Sequence, residues 1–134
     1  MSSQLAAPRP LYGWAQPTVA TDWTADTVLG ADIAFVRAER LPLPPPRRGT
    51  SYRPLAPDLV VEIASPSQDQ PEIGEKARLW LDRGVRQVWV VWPERRAIDI
   101  WTAGAAAPHT PRDAASLDGG DVVPGFRLPL AEIW

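Results

Sequence analysis

The chain of 134 residues has no cysteine, one histidine, one methionine and one lysine. Without thiols, disulfides and thiolate metal sites are excluded, which fits a reducing, cytoplasmic setting. The single histidine, His109, stands among alanine and proline and reads as a surface loop residue. Neither a histidine-based zinc cluster nor a Ser-His-Asp triad can be assembled around it. No segment approaches the roughly 20 consecutive apolar residues that cross a bilayer. The first ten residues also lack the basic start and apolar core of a secretion signal, so no membrane partner is expected. The formal net charge is −2, so the chain has no overall basic field, and any nucleic acid must be held by local groups. The scarcity of lysine is the most telling of these absences, because thirteen arginines accompany Lys76. Where any exposed cation would serve, this chain uses arginine. Its one lysine therefore marks a place that needs a compact ammonium on a flexible stem rather than a planar fork.

Hydrophobic residues make up 45% of the chain and charged residues 22%, ordinary values for a globular protein of one domain. Residues 1–13 are polar and punctuated by proline, a loose lead-in, and the domain is expected over 14–134. Residues 17–23 and 27–37 read as two strands joined by a short polar turn. Residues 38–57 hold six prolines and read as a long loop, and a strand follows over 58–64, ended by Ser65-Pro66-Ser67. Asp69 with Glu72 three residues on predicts a helix start, Pro71 suits its first turn, and Gly84 ends it. Residues 85–91 and 97–101 form a hairpin about Pro93-Glu94-Arg95-Arg96. Residues 102–117 read as loop, and a short closing segment over 122–134 turns at Pro124-Gly125. The order describes an α/β fold, one sheet with a helix packed on it.

Within the apolar run Leu59-Val60-Val61-Glu62-Ile63-Ala64 stands one acid. Alternation along a strand puts Leu59, Val61 and Ile63 on one face, expected to lie under the helix, and Asp58, Val60, Glu62 and Ala64 on the other. Asp58 and Glu62 are then roughly 13 Å apart at about 3.3 Å per residue, too far to share one ion. Glu62 needs a nearer acidic partner, and Asp32, at the start of Ile33-Ala34-Phe35-Val36, is the best placed. Asp58 is left an outer part in the metal site, capping the strand entry or holding a water. On the helix, Ile73, Ala77, Trp80 and Leu81 form an apolar arc, and Lys76 projects inside it. A lysine there must be paired, and Glu62 is the available countercharge. The bland alternative is a partly buried ion pair that only neutralises itself.

The run Pro57-Asp58-Leu59-Val60-Val61-Glu62-Ile63-Ala64-Ser65-Pro66-Ser67, then Glu75-Lys76, then Gly84-Val85-Arg86-Gln87-Val88-Trp89-Val90-Val91 and Pro93, resembles the Uma2 family of the PD-(D/E)XK nuclease superfamily. The likeness reaches Asp32-Ile33-Ala34-Phe35-Val36 on one side and the segment from Val123-Pro124-Gly125-Phe126 to Trp134 on the other, covering about residues 14–134. It implies a restriction-endonuclease-like central mixed sheet with a packed helix. Asp32 would be the first metal-binding acid and Glu62 the acid of the (D/E)XK strand. Ala64 holds the place usual for the lysine, and the resemblance implies that Lys76 on the following helix takes that role. Gly30-Ala31 stand where proline usually precedes the first acid, and Trp92 replaces a commonly acidic position. Family members usually begin with further helix and strand segments, so an N-terminally shortened version is expected.

The resemblance implies hydrolysis of phosphodiester bonds in DNA by Asp32, Glu62 and Lys76. Mg²⁺ or Mn²⁺ would be held by Asp32, Glu62 and a backbone carbonyl near Ile63, with Asp58 in support; hard oxygen ligands suit those ions. A homodimer is expected by analogy with enzymes that cut duplexes. Arg37, Arg40, Arg47, Arg48 and Arg53 flank the proline loop and are candidate DNA contacts, the alternative being solvated loop charges. Trp80, Trp89 and Trp101 read as packing residues rather than base-stacking platforms. The competing functional reading is a catalytically silent remnant of the fold, serving as a nucleic-acid-binding or protein-interaction module.

Overall fold

The structure, a computed structural model, describes residues 11–14, 19–24, 27–30, 32–40, 45, 48, 53–112, 115–122, 125 and 127–132. Ten strands and one α-helix are present among them. In chain order these are β1 (Leu11–Trp14), β2 (Val19–Thr24), β3 (Thr27–Gly30), β4 (Ile33–Arg37), β5 (Arg53–Pro54) and β6 (Leu59–Ile63). They are followed by α1 (Gln70–Asp82), β7 (Gln87–Trp92), β8 (Ala97–Thr102), β9 (Ser116–Asp118) and β10 (Arg127–Pro129). The main sheet runs β1-β4-β6-β7-β8; β3-β2-β5 and β10-β9 form two smaller sheets. β6 and β7 pair in parallel, with α1 as the crossover between them, while β1/β4, β4/β6 and β7/β8 are antiparallel. The architecture is the expected α/β one, a mixed sheet carrying a helix. No described helix is long and apolar enough to cross a membrane.

Helix α1 forms where its termini are chemically marked. The Asp69 carboxylate accepts the Glu72 backbone N–H at 2.9 Å, which satisfies one of the donors a helix start leaves unpaired. Pro71 occupies the first turn, where its missing N–H costs nothing. At the other end Gly84 adopts φ +102°, a left-handed conformation open to glycine without a Cβ penalty. The helix buries Ile73, Gly74, Ala77 and Trp80.

The face of β6 that receives the helix differs from the expectation. Val60 and Ala64 pack with Ala34, Ile73, Ala77, Trp80, Val85, Val88, Val90 and Trp92 under α1. Leu59 and Val61 point the other way, into a second core with Trp89, Val91, Ile98, Leu117 and Val122, and Ile63 is exposed. Glu62 therefore lies beneath the helix. The reason is that β6 is interior in the sheet and buried on both faces, so side-chain alternation does not distinguish them. A lone acid reads as solvent-facing unless its partner is known, and the partner comes from α1.

Four short strands depart from the expected layout. β1 extends into the segment read as lead-in, pairing Leu11 with Arg37 and Trp14 with Ala34. β5 lies in the expected proline loop and pairs in parallel with β2. β9 and β10, three residues each, pair with one another. The single long strand expected over 27–37 is two, β3 and β4, which belong to different sheets. Segments this short carry almost no periodicity, and their pairing is set by distant partners.

Replacing Asp69 with alanine removes the helix cap and should lower stability by about 1 kcal/mol. Urea denaturation followed by circular dichroism measures this, and Asp69→Asn should recover most of the loss.

Candidate active site

Asp32 sits in a bend immediately before β4, one step beyond the pair Ile33–Val61 in the β4/β6 register. Continuing that antiparallel register brings Asp32 beside Glu62. The Asp32 Oδ2 accepts the Ile63 backbone N–H at 2.8 Å, so its side chain supplies an acceptor where the β4 ladder has ended. Asp32 is solvent-exposed while Glu62 is only 3% exposed, giving one carboxylate at the surface and one beneath it.

Glu62 is held from above by two residues one helical turn apart on α1. The Lys76 Nζ lies 3.2 Å from Oε1, and the Trp80 Nε1–H donates to Oε2 at 2.8 Å. The i, i+4 spacing brings both groups to one side of the helix. Lys76 keeps 36% of its side chain exposed, whereas Trp80 is fully buried. Burial pushes the Glu62 carboxyl above its ordinary value, and the nearby Asp32 charge acts in the same direction. The Lys76 ammonium and the Trp80 hydrogen bond oppose that rise without cancelling it. Three separate elements thus deliver two carboxylates and an ammonium to one end of β6.

Asp58 does not join this cluster. It stands at the opposite end of β6, where its Oδ2 accepts the Arg37 backbone N–H at 2.8 Å and an Arg40 guanidinium N–H at 2.9 Å. Arg40 also donates to the Ala56 carbonyl. Asp58 is buried and ties the turn after β4 to the entry of β6, a structural task that uses the carboxylate. Among the described residues no group of three or more His, Cys, Asp or Glu side chains is placed to hold a metal ion. Of the two parts expected of Asp58, its contacts are those of the strand-entry cap, at the end of β6 away from Glu62.

The arginines expected to contact DNA divide similarly. Arg40 is committed to Asp58 at 2.9 Å, and Arg37 pairs with Glu39 at 3.2 Å. Arg48 is exposed. Arg47 and the side chain of Arg53 lie outside the described residues. His109 is exposed, and its backbone bridges to Ile100 beside β8.

A cleft of about 660 Å³ opens on the other flank of α1, walled by Gly74, Arg78, Trp92, Asp99 and Trp101. None of Asp32, Glu62 and Lys76 lines it, and the buried Asp99 carboxylate is satisfied by Trp92 and Thr110. The chemical interest stays with the trio at β6. What residue-pattern reasoning missed there is Trp80, which was read as packing alone. Its position four residues after Lys76 was the available signal.

The family model described as "Putative restriction endonuclease", Uma2, matches residues 4–131. Among solved structures, a crystal structure from Anabaena variabilis described as "a putative nuclease belonging to DUF820" superposes with a TM-score of 0.71. Its sequence is 16% identical, and the match covers 98% of this chain and 72% of that one, a likeness of fold. No curated protein matches the chain.

Because folded Glu62 holds its proton more tightly than the ordinary value of 4.5, its contribution to stability is full below that pH and is lost as pH rises through the folded pKa. Glu62→Gln removes the titrating group. The stability of wild type minus that of Glu62→Gln should therefore decline with rising pH across this window, by at most about 1.4 kcal/mol per pH unit, and then level off. Urea denaturation at a series of pH values measures it; a difference that grows with pH would contradict the burial of this carboxylate.

Proposed function

The chain belongs to the Uma2 family, and from that premise we propose that it is a divalent-metal-dependent endonuclease that hydrolyses phosphodiester bonds in DNA. The observation that supports this most is the meeting of Asp32, Glu62 and Lys76 from three elements, in a chain with no other lysine. A self-contained ion pair would explain Lys76 and Glu62. It leaves without a chemical use the second, exposed carboxylate that the Ile63 N–H seats beside the buried one, where like charge raises the cost of ionising Glu62.

The donor set fits a small hard cation. Two carboxylates, one on β6 and one just before β4, without imidazole or thiolate, suit Mg²⁺ or Mn²⁺, which keep several waters and take further oxygens from substrate phosphate. Asp32 and Glu62 would hold the ion, with the Ile63 carbonyl as a further oxygen. When bound, such a cation offsets negative charge on a phosphate oxygen and acidifies water. The protein's own groups divide the remaining work. Glu62, fixed under α1, presents a carboxylate that barely reorganises, and Asp32 would add a second carboxylate at the surface side of the ion. The Lys76 ammonium, on a flexible stem at the mouth of the site, donates to the attacking oxygen or to a phosphoryl oxygen as charge develops there. Arg48, exposed beyond β4, is available to the DNA backbone. Cutting both strands of a duplex needs two such centres, which a homodimer would supply.

Supercoiled plasmid incubated with Mg²⁺ or Mn²⁺ tests the reading directly. Wild type should nick it, and Asp32→Asn, Glu62→Gln and Lys76→Ala should each lose about 10²-fold or more in rate. Equal nicking by wild type and Lys76→Ala would refute the assignment. Independently, Mn²⁺ at about 100 times its dissociation constant should stabilise wild type by about 2.7 kcal/mol, and Glu62→Gln should abolish the gain. A chain that binds DNA yet neither nicks it nor gains stability from metal would instead be a silent binding module.

A further inference from the structure

We infer that Trp80 and Lys76 divide the Glu62 carboxylate between them: Trp80 is a positioning residue that keeps Oε2, while the Lys76 ammonium occupies Oε1 until an incoming divalent cation displaces it. The inference deepens the proposed function and rests on its reading of Glu62 as a metal ligand.

The two contacts differ in every property that decides which one yields. The Trp80 Nε1–H is 2.8 Å from Oε2, and Trp80 is fully buried between α1 and the sheet. An indole N–H can only donate, and in that core it has no water to turn to. Releasing Oε2 would strand a buried donor as well as an oxygen of a buried carboxylate. The Lys76 contact is longer, at 3.2 Å, and its side chain is 36% exposed. Its ammonium can rotate on a four-carbon stem into water or toward a substrate phosphate with no loss of solvation. Oε1 is therefore the oxygen that can change partners, and Oε2 the one that keeps the carboxylate plane fixed while it does so.

A positive charge seated on Oε1 has two consequences. Without the metal it compensates a carboxylate that is almost entirely buried. During loading it opposes the cation directly, because two positive groups compete for one oxygen. Displacement then sends the ammonium outward, the direction from which a phosphate arrives. Binding of the ion and release of the amine thus become one exchange, and an arginine in place of Lys76 would be a poor substitute because its planar fork engages both carboxylate oxygens at once.

Because the chain has one lysine, ¹³C,¹⁵N-lysine labelling of the wild-type protein yields a single side-chain Nζ signal, that of Lys76. The full chain is titrated with Mg²⁺, with occupancy followed in parallel by calorimetry. The expected result is a Lys76 signal that moves in proportion to occupancy while the Trp80 indole N–H remains protected from solvent exchange. In the same assay Lys76→Met should bind Mg²⁺ more tightly, and Trp80→Phe should bind it about 10–100-fold more weakly. Mg²⁺ binding that leaves the Lys76 signal unmoved overturns the exchange and leaves the metal site standing. Exposure of the Trp80 N–H to solvent exchange with occupancy overturns its positioning role. Absence of Mg²⁺ binding in the calorimeter overturns the metal reading and this inference with it. The wild-type spectra decide the matter even if Trp80→Phe fails to fold.

Discussion

A carboxylate placed under a helix, in a sheet buried on both faces, is costly unless its oxygens are occupied, and the Glu62 site is built around that requirement. Trp80 and Lys76 occupy one oxygen each, and both stand on α1, so the helix that covers β6 also supplies what makes the acid tolerable. The arrangement restricts how α1 can sit. A shift along its axis by one turn would replace the ammonium and the indole with Glu72 and Lys76, or with Trp80 and Gly84, and neither pair could satisfy Glu62. The polar contact thereby selects one packing of an otherwise apolar interface, as buried polar groups do in some other systems.

The remainder of the scaffold fixes where the partners of Glu62 enter. Strand β4 lies beside β6 with its start at the Glu62 end, so a residue just before β4 falls next to the acid, and Asp32 is that residue. At the far end the chain leaves β4 through a turn, and Asp58 binds that turn back through Arg40 and the Arg37 backbone. The two acids flanking the apolar part of this strand pair thus perform unlike work. One closes a structural corner with both its charge and its hydrogen-bonding capacity used, and the other contributes to an electrostatically loaded site.

Much of this was legible from residue types. Asp69, Pro71 and Gly84 mark α1 chemically, and the structure begins and ends the helix there. The β7/β8 hairpin was legible for the same reason: Pro93 opens its turn, and Arg96 closes it with φ +52°. The placing of Asp32, Glu62 and Lys76 together could be inferred because a lysine on an apolar helical arc and an acid in an apolar strand each demand a partner. The side of β6 that faces α1 could not, since Leu59, Val60 and Val61 are all buried and only the helix distinguishes the faces. The strand-entry cap made by Asp58 could be inferred as one of two parts, but its partner Arg40 could not, being eighteen residues distant, a pairing that no local pattern encodes. Trp80 was under-read because its bulk explains its burial by itself, and its N–H bond adds nothing visible to the hydropathy pattern. The strands β1, β5, β9 and β10 escaped because two to four residues are too few to show alternation.

Having a single lysine also shapes how the protein can be altered after synthesis. Any chemistry directed at ε-amines, acylation above all, has one side chain in the whole chain on which to act, and that side chain is the partly exposed one resting on Glu62. Acetylating it would cancel the countercharge and leave a buried anion with only an indole for company. For this molecule, lysine modification could not be a diffuse surface event; each modified copy would be modified at the same atom.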